Sequence, residues 1–151
     1  MPLDALSANP ADPEALAEAL RPAILRVSRR LRQEAKKVGV SALDALLLGQ
    51  ILRNPGVGVC DLADEEQISR PTMSGHVKRL ESAGWVSRTG DAEDGRRSGL
   101  TITEAGREAL AAIRRQRNDW LAAHLAQLPA EARLALAAAA EPLLQLSAGQ
   151  P

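Results

Sequence analysis

VGVCDLADEEQISRPTMSGHVKRLESAGWVSRTGDAEDGRRSGLTIT, residues 57–103, changes its hydrophobic period once, and that change decides the fold. Before Gly84 the spacing is helical: a short helix from Cys60 to about Glu66, then a second from Arg70 to Ala83. Ser69 is placed to cap the second, and Pro71 falls in its first turn, where a missing N–H costs nothing. Beyond Gly84 the pattern shortens into two strands, Trp85 to Thr89 and Leu100 to Thr103, around a loop from Gly90 to Ser98. A helix, a brief turn, a second helix and a hairpin in that order make a winged helix-turn-helix.

The flanking sequence is helical on both sides. Residues 1–12 read as a flexible arm. From 13 to 38, Leu16, Leu20, Ile24, Val27 and Leu31 recur at helical spacing, and Gly39 ends that helix with its freedom to take positive φ. Ser41 caps a second helix through Leu43, Leu46, Leu47, Ile51 and Leu52, stopped by Asn54-Pro55-Gly56. Residues 104–128 return to helix with a stripe of Leu110, Ile113, Trp120, Leu121 and Leu125; Pro129 breaks it before a last, Ala-rich helix over 130–147. The expected fold is mainly α with a small β-hairpin wing. A DNA-binding domain over 41–103 is flanked by helical regions, 13–38 and 104–147, whose apolar stripes suit self-association.

Composition narrows what such a fold does. The 151 residues include no Phe, no Tyr and only two Trp, so Leu and Ala must fill the core, which favours close helix packing. Nineteen basic residues balance nineteen acidic ones, so nucleic-acid binding must rest on local clustering rather than overall charge. One cysteine excludes an intrachain disulfide and multi-cysteine metal sites, and points to a reducing compartment. No stretch reaches the roughly 18 apolar residues of a membrane span, and the acidic, proline-interrupted start is unlike a secretory signal. A cytoplasmic location is expected, with no membrane partner and no cofactor.

The helix after the turn must serve two surfaces. At about 100° per residue, Met73, Val77 and Leu80 fall on one face, while Pro71, Thr72, Ser74, Gly75, Lys78 and Arg79 fall on the other. Small residues early on the outer face let a helix sit deep in a major groove. Arg70, with Ser69 beside it, stands at the end that reaches base edges, and Lys78 and Arg79 are placed for phosphates. In the hairpin loop, Arg96 and Arg97 suit a minor groove. Asp94 would be repelled by phosphate; its fitting role is to hold the Arg96 guanidinium.

The run from Leu62 to Gly106 resembles the winged-helix core of the MarR family of transcription regulators. The marks are Leu62-Ala63, Ser69-Arg70-Pro71-Thr72, the Arg79-Leu80-Glu81 segment ending at Gly84, Asp94 with Arg96, and the exit Ile102-Thr103-Glu104-Ala105-Gly106. The resemblance implies a homodimeric regulator of double-stranded DNA, a repressor by family habit, on a near-palindromic operator and released by a small-molecule effector in some relatives. Four positions depart from it. Glu66 and Gln67 stand where the family has an apolar residue and then Gly; Gly75 replaces a basic or bulky residue; His76 replaces an apolar one.

Other readings stand beside this one. Enzyme motifs are missing: no G-x-S-x-G, no phosphate-binding glycine loop, no H-E-x-x-H and no Cys–His pair at suitable spacing. His76 and His124 lie far apart without ligand-rich surroundings, so no metal site is expected. Cys60, near a helix start, fits a redox sensor or an inert small hydrophobe. The basic residues of the first helix, Arg21, Arg26, Arg29, Arg30, Arg32, Lys36 and Lys37, read as a solvated face, as a second DNA contact, or in part as the lining of a cleft for an anionic ligand. The rival function is a winged-helix protein-interaction module that has lost DNA binding.

Overall fold

The computed structural model describes residues 12–90 and 98–148. Six helices and one hairpin follow in order: α1 (Pro13–Lys36), α2 (Ala42–Arg53), α3 (Val59–Glu65), α4 (Arg70–Ser82), β1 (Val86–Thr89), β2 (Gly99–Ile102), α5 (Glu104–Leu125) and α6 (Ala130–Ala148). The order and the hairpin are those expected from the sequence, with boundaries shifted by one to three residues. The chain forms two compact units, Met1–Arg117 and Asn118–Pro151, divided within α5.

Local chemistry sets the element ends. Asp12 accepts from the Ala15 N–H at 3.0 Å and Ser41 from the Asp44 N–H at 3.0 Å, capping α1 and α2. Gly39, at φ 79°, turns the chain out of α1. Thr103 caps α5: its hydroxyl accepts from the Gly106 N–H at 3.1 Å and donates to the Gly84 carbonyl at 2.5 Å. Pro22 sits inside α1, where it cannot close the bond to the carbonyl four residues before it, and α1 nevertheless runs unbroken.

The core of the first unit is aliphatic and continuous. Ala35, Val40, Leu47, Leu48, Ile51, Leu62, Met73, Val77, Leu80, Leu100 and Ile113 are buried together, and Trp85 packs half-buried against them. Of the apolar residues along α2, Leu46 is exposed, while Leu47, Leu48 and Ile51 hold the inner face. All five residues of the α1 stripe also stay open or half-covered in a single chain: Leu16, Ile24 and Val27 are exposed, and Leu20 and Leu31 half-buried.

The wing is anchored more firmly than its two short strands suggest. Val86 to Thr89 pair antiparallel with Ile102 to Gly99. A third segment joins them: the Gly56 N–H donates to the Leu100 carbonyl and the Leu100 N–H to the Val57 carbonyl, both at 2.8 Å. The loop after α2 thus supplies a one-bridge third strand that the sequence pattern did not reveal. Gly99 permits this approach, since a Cβ there would stand 2.6 Å from the Gly56 Cα. Gly106 plays the same part at the start of α5, where a Cβ would press on the Trp85 carbonyl and lie 2.7 Å from the Ile102 side chain.

In the second unit α6 has no buried residue, and Leu134, Leu144 and Leu146 are 71%, 63% and 70% exposed. His124 lays its ring 4.2 Å from that of Trp120 and donates to the Trp120 carbonyl at 2.7 Å. No group of three or more metal-ligating side chains occurs among the described residues. No helix among them is long and apolar enough to cross a membrane.

Candidate nucleic-acid interface

The inner row of α4 is sealed. Met73 and Val77 are fully buried and Leu80 nearly so. Burying each such side chain contributes about 1.5–3 kcal/mol. An exposed ion pair contributes about 0–1 kcal/mol, so packing rather than charge supplies most of the free energy that keeps this helix docked. Arg70, Pro71, Thr72, Gly75, Lys78 and Arg79 are exposed on the outer row, and Ser74 is half-buried at its margin. Gly75 has open space where a Cβ would stand. Nothing inside the chain therefore requires a glycine there.

Each outer residue has its own setting. Ser69 is the N-cap: its Oγ accepts from the Thr72 N–H at 3.3 Å and donates to Thr72 Oγ1 at 2.7 Å. Both hydroxyls thus work on the helix start, and Thr72 keeps its methyl for an external surface. Arg70 lies 4.0 Å from Asp64 of α3, with both side chains largely in solvent. That loose pair is easily exchanged for a phosphate or a base. Lys78 makes no ion pair among the described residues.

Arg79 differs from its neighbours. Its guanidinium donates to Asp44 of α2 at 3.3 Å and touches His76 Nδ1. It ties α4 to α2 before it offers anything to a ligand. His76, half-buried where an apolar residue was the family expectation, serves as a partner for that arginine.

The wing is tied to the far end of the same helix. Arg88 on β1 donates to both carboxylate oxygens of Glu81, at 2.8 and 3.4 Å, and to Ser98 Oγ at 3.4 Å. The signal for this pair in the sequence is a basic residue on a short wing strand, seven positions after an acid at the helix end. Asp94, Arg96 and Arg97 lie outside the described residues. Cys60 is exposed in the first turn of α3.

The turn before α4 explains the departure at Glu66 and Gln67. The Ile68 N–H donates to the Ala63 carbonyl at 2.9 Å and the Gln67 N–H to the Asp64 carbonyl at 3.3 Å. This is a Schellman closure, which requires a left-handed residue, and Gln67 takes it at φ 53°. A side chain there costs on the order of 1 kcal/mol relative to glycine. Glu66, in place of an apolar residue, accepts from Gln50 Nε2 of α2 at 2.5 Å.

Behind this surface, α1 and α5 are joined by a buried carboxylate. Glu34, 1% exposed, accepts from Lys37 Nζ at 2.7 Å and from Gln116 Nε2 at 2.9 Å. The Lys37 ammonium and then the Gln116 amide hold its carboxyl below the ordinary value, against the opposing effect of burial. Arg117 donates to the Leu31 carbonyl at 3.1 Å, and burial lowers its guanidinium pKa.

Comparison with known proteins agrees with this geometry. Residues 38–97 match the sequence model of the MarR family. The chain is 36% identical over 135 residues to HTH-type transcriptional regulators of Mycobacterium bovis and Mycobacterium tuberculosis, covering 87% of this chain and 92% of each relative. Among solved structures, a transcriptional regulator from Pseudomonas aeruginosa superposes with a TM-score of 0.75 at 29% identity, over 89% of this chain and 95% of that one. A Staphylococcus aureus MepR variant bound to an oligodeoxyribonucleotide superposes with a TM-score of 0.65 at 20% identity, over 86% and 96%.

Proposed function

The chain belongs to the MarR family of DNA-binding transcriptional regulators, and from that premise we propose that it represses transcription as a homodimer on a near-palindromic operator. One observation carries the reading: α4 is sealed along Met73, Val77 and Leu80 and uncovered along Arg70, Thr72, Gly75 and Lys78. A helix held rigidly on one side, with small and basic groups on the other, is what a major groove demands. Arg70 reads a base edge near the helix start, while Ser69, Pro71, Thr72, Ser74 and Gly75 let the helix approach closely. Lys78 meets a phosphate, and Arg79 adds to that contact while remaining tied to α2. Arg96 and Arg97 enter the flanking minor groove, with Asp94 holding Arg96.

Residues 41–103 form the DNA-binding domain in this reading, and 13–38 with 104–147 the dimerisation region. Exposed leucines on α6, and Ile24, Leu25 and Val27 on α1, support a second copy as the missing cover. Two copies would place their α4 helices about 34 Å apart, one turn of DNA. Arg26, Arg29, Arg30 and Gln33 lie together on the exposed surface of α1, and this basic cluster supports a small anionic effector as the releasing signal.

The deciding experiment is a fluorescence-anisotropy titration on the DNA upstream of the chain's own gene and on scrambled DNA, across a salt series. Nanomolar binding with a steep salt slope and a strong preference for the upstream DNA is expected. Lack of preference there and in a genome-wide DNA selection would instead favour the protein-interaction module.

A further inference from the structure

Gln50 is a polar residue on the buried face of α2, 5% exposed and flanked by the core residues Leu47 and Ile51. Its amide is used on one side only: Nε2 donates to Glu66 at 2.5 Å, while Oε1 is buried with no hydrogen-bond partner. An amide left half-satisfied inside a core adds little to stability. What it supplies is direction, because a hydrogen bond fixes distance and angle where apolar contact permits sliding.

The direction is imposed at a sensitive place. Glu66 closes α3, Gln67 follows in the left-handed region, and Ser69 then caps α4. At its other end α4 is tied to the same helix α2 through Arg79 and Asp44. The recognition helix therefore hangs from α2 by two polar ties, one before its first residue and one near its last turn. Sliding of the turn on α2 would move Arg70 relative to the DNA while leaving Met73, Val77 and Leu80 buried.

We propose that Gln50 and Glu66 are positioning residues for operator discrimination, fixing through this hydrogen bond where the start of α4 meets the bases. The inference rests on the DNA-binding reading above. Gln50 is too buried to touch DNA, so its action is on the seat of the turn.

The test compares the full-length wild-type chain with Gln50→Leu, the double variant Gln50→Leu/Glu66→Leu, and Glu66→Gln. Each is titrated on the upstream DNA and on scrambled DNA across a salt series, with thermal unfolding in parallel. The double variant swaps the polar pair for an apolar one and is expected to keep its Tm. Its preference for the upstream DNA should fall about tenfold, with scrambled-DNA affinity and salt slope unchanged. Gln50→Leu leaves the half-exposed Glu66 free to turn to water, folds on its own account, and should show the same fall. Glu66→Gln keeps an acceptor in place and should retain most of the preference. A folded Gln50→Leu chain with wild-type preference overturns the proposal, as does a parallel loss of affinity for both DNAs. A wild-type chain without any preference overturns the DNA-binding reading, and this one with it.

Discussion

The recognition helix α4 and the terminal helix α6 both carry aliphatic residues at helical spacing, yet they end in opposite states. Met73, Val77 and Leu80 of α4 lose nearly all their exposure, whereas Leu134, Leu144 and Leu146 of α6 keep most of theirs. The winged helix completes its core within one chain, using α2, α3 and the wing as walls. The terminal helix has no buried residue. Periodic hydrophobicity alone therefore does not say whether a face is buried within its own chain.

The largest expected effect breaks the comparison on the α6 side. Leu134→Glu combined with Leu146→Glu should convert a dimer to a monomer in sedimentation velocity, and operator affinity should drop about 10²–10⁴-fold as the two half-sites uncouple. A dimer that persists would mean these leucines are simply solvated. On the α4 side, Met73→Ala should destabilise the chain by about 2–5 kcal/mol through the cavity it leaves, read from the denaturant midpoint. A loss much below that would show the helix to be less firmly seated than its burial indicates.

Smaller changes sharpen the division between the two faces of α4. Arg70→Ala should cost about 1–3 kcal/mol on the upstream DNA and blur its preference. Lys78→Ala should weaken every sequence alike and lower the salt slope by about one. Neither should move Tm appreciably, because both side chains stand in solvent. Gln67→Gly should raise stability by about 0.5–1 kcal/mol in denaturant titrations, by relieving a side chain from the left-handed region.

The last prediction concerns pH. Glu34 has a folded pKa below its ordinary value of 4.5, held there by Lys37 and Gln116. Its stabilising contribution is therefore complete above that ordinary value and is lost as pH falls through the lower folded one. Glu34→Gln should remove this part of the acid slope in unfolding curves measured from neutral to acid pH. An unchanged slope would show that other carboxylates carry it.

Much of the site was legible because it rests on local rules. Ser69 and Ser41 cap helices for a reason confined to four residues, and the inner and outer rows of α4 follow from the helical period alone. The α2 period fits two adjacent stripes, and only the position of α3 and α4 selects Leu47, Leu48 and Ile51 over Leu46 for the core. The Arg88–Glu81 tie and the third segment of the wing at Gly56 and Val57 were missed because both join residues that only the folded hairpin brings together. The helical period places Arg79 beside Lys78 on the outer face, and only the fold adds its contact with Asp44, 35 positions earlier.

By itself the sequence determined the order of elements, the helix caps, the two-faced recognition helix and the family, since each depends on neighbours within about one turn or on a motif in fixed order. The tertiary structure alone decided which stripe of α2 is core and that Gln67 is the left-handed residue of the turn. It also decided that α4 is tied to α2 through Arg79 and placed opposite Gln50 the acceptor Glu66. The physical reason is range: capping and periodicity act along the chain, whereas burial and hydrogen-bond partnership depend on which distant segment arrives.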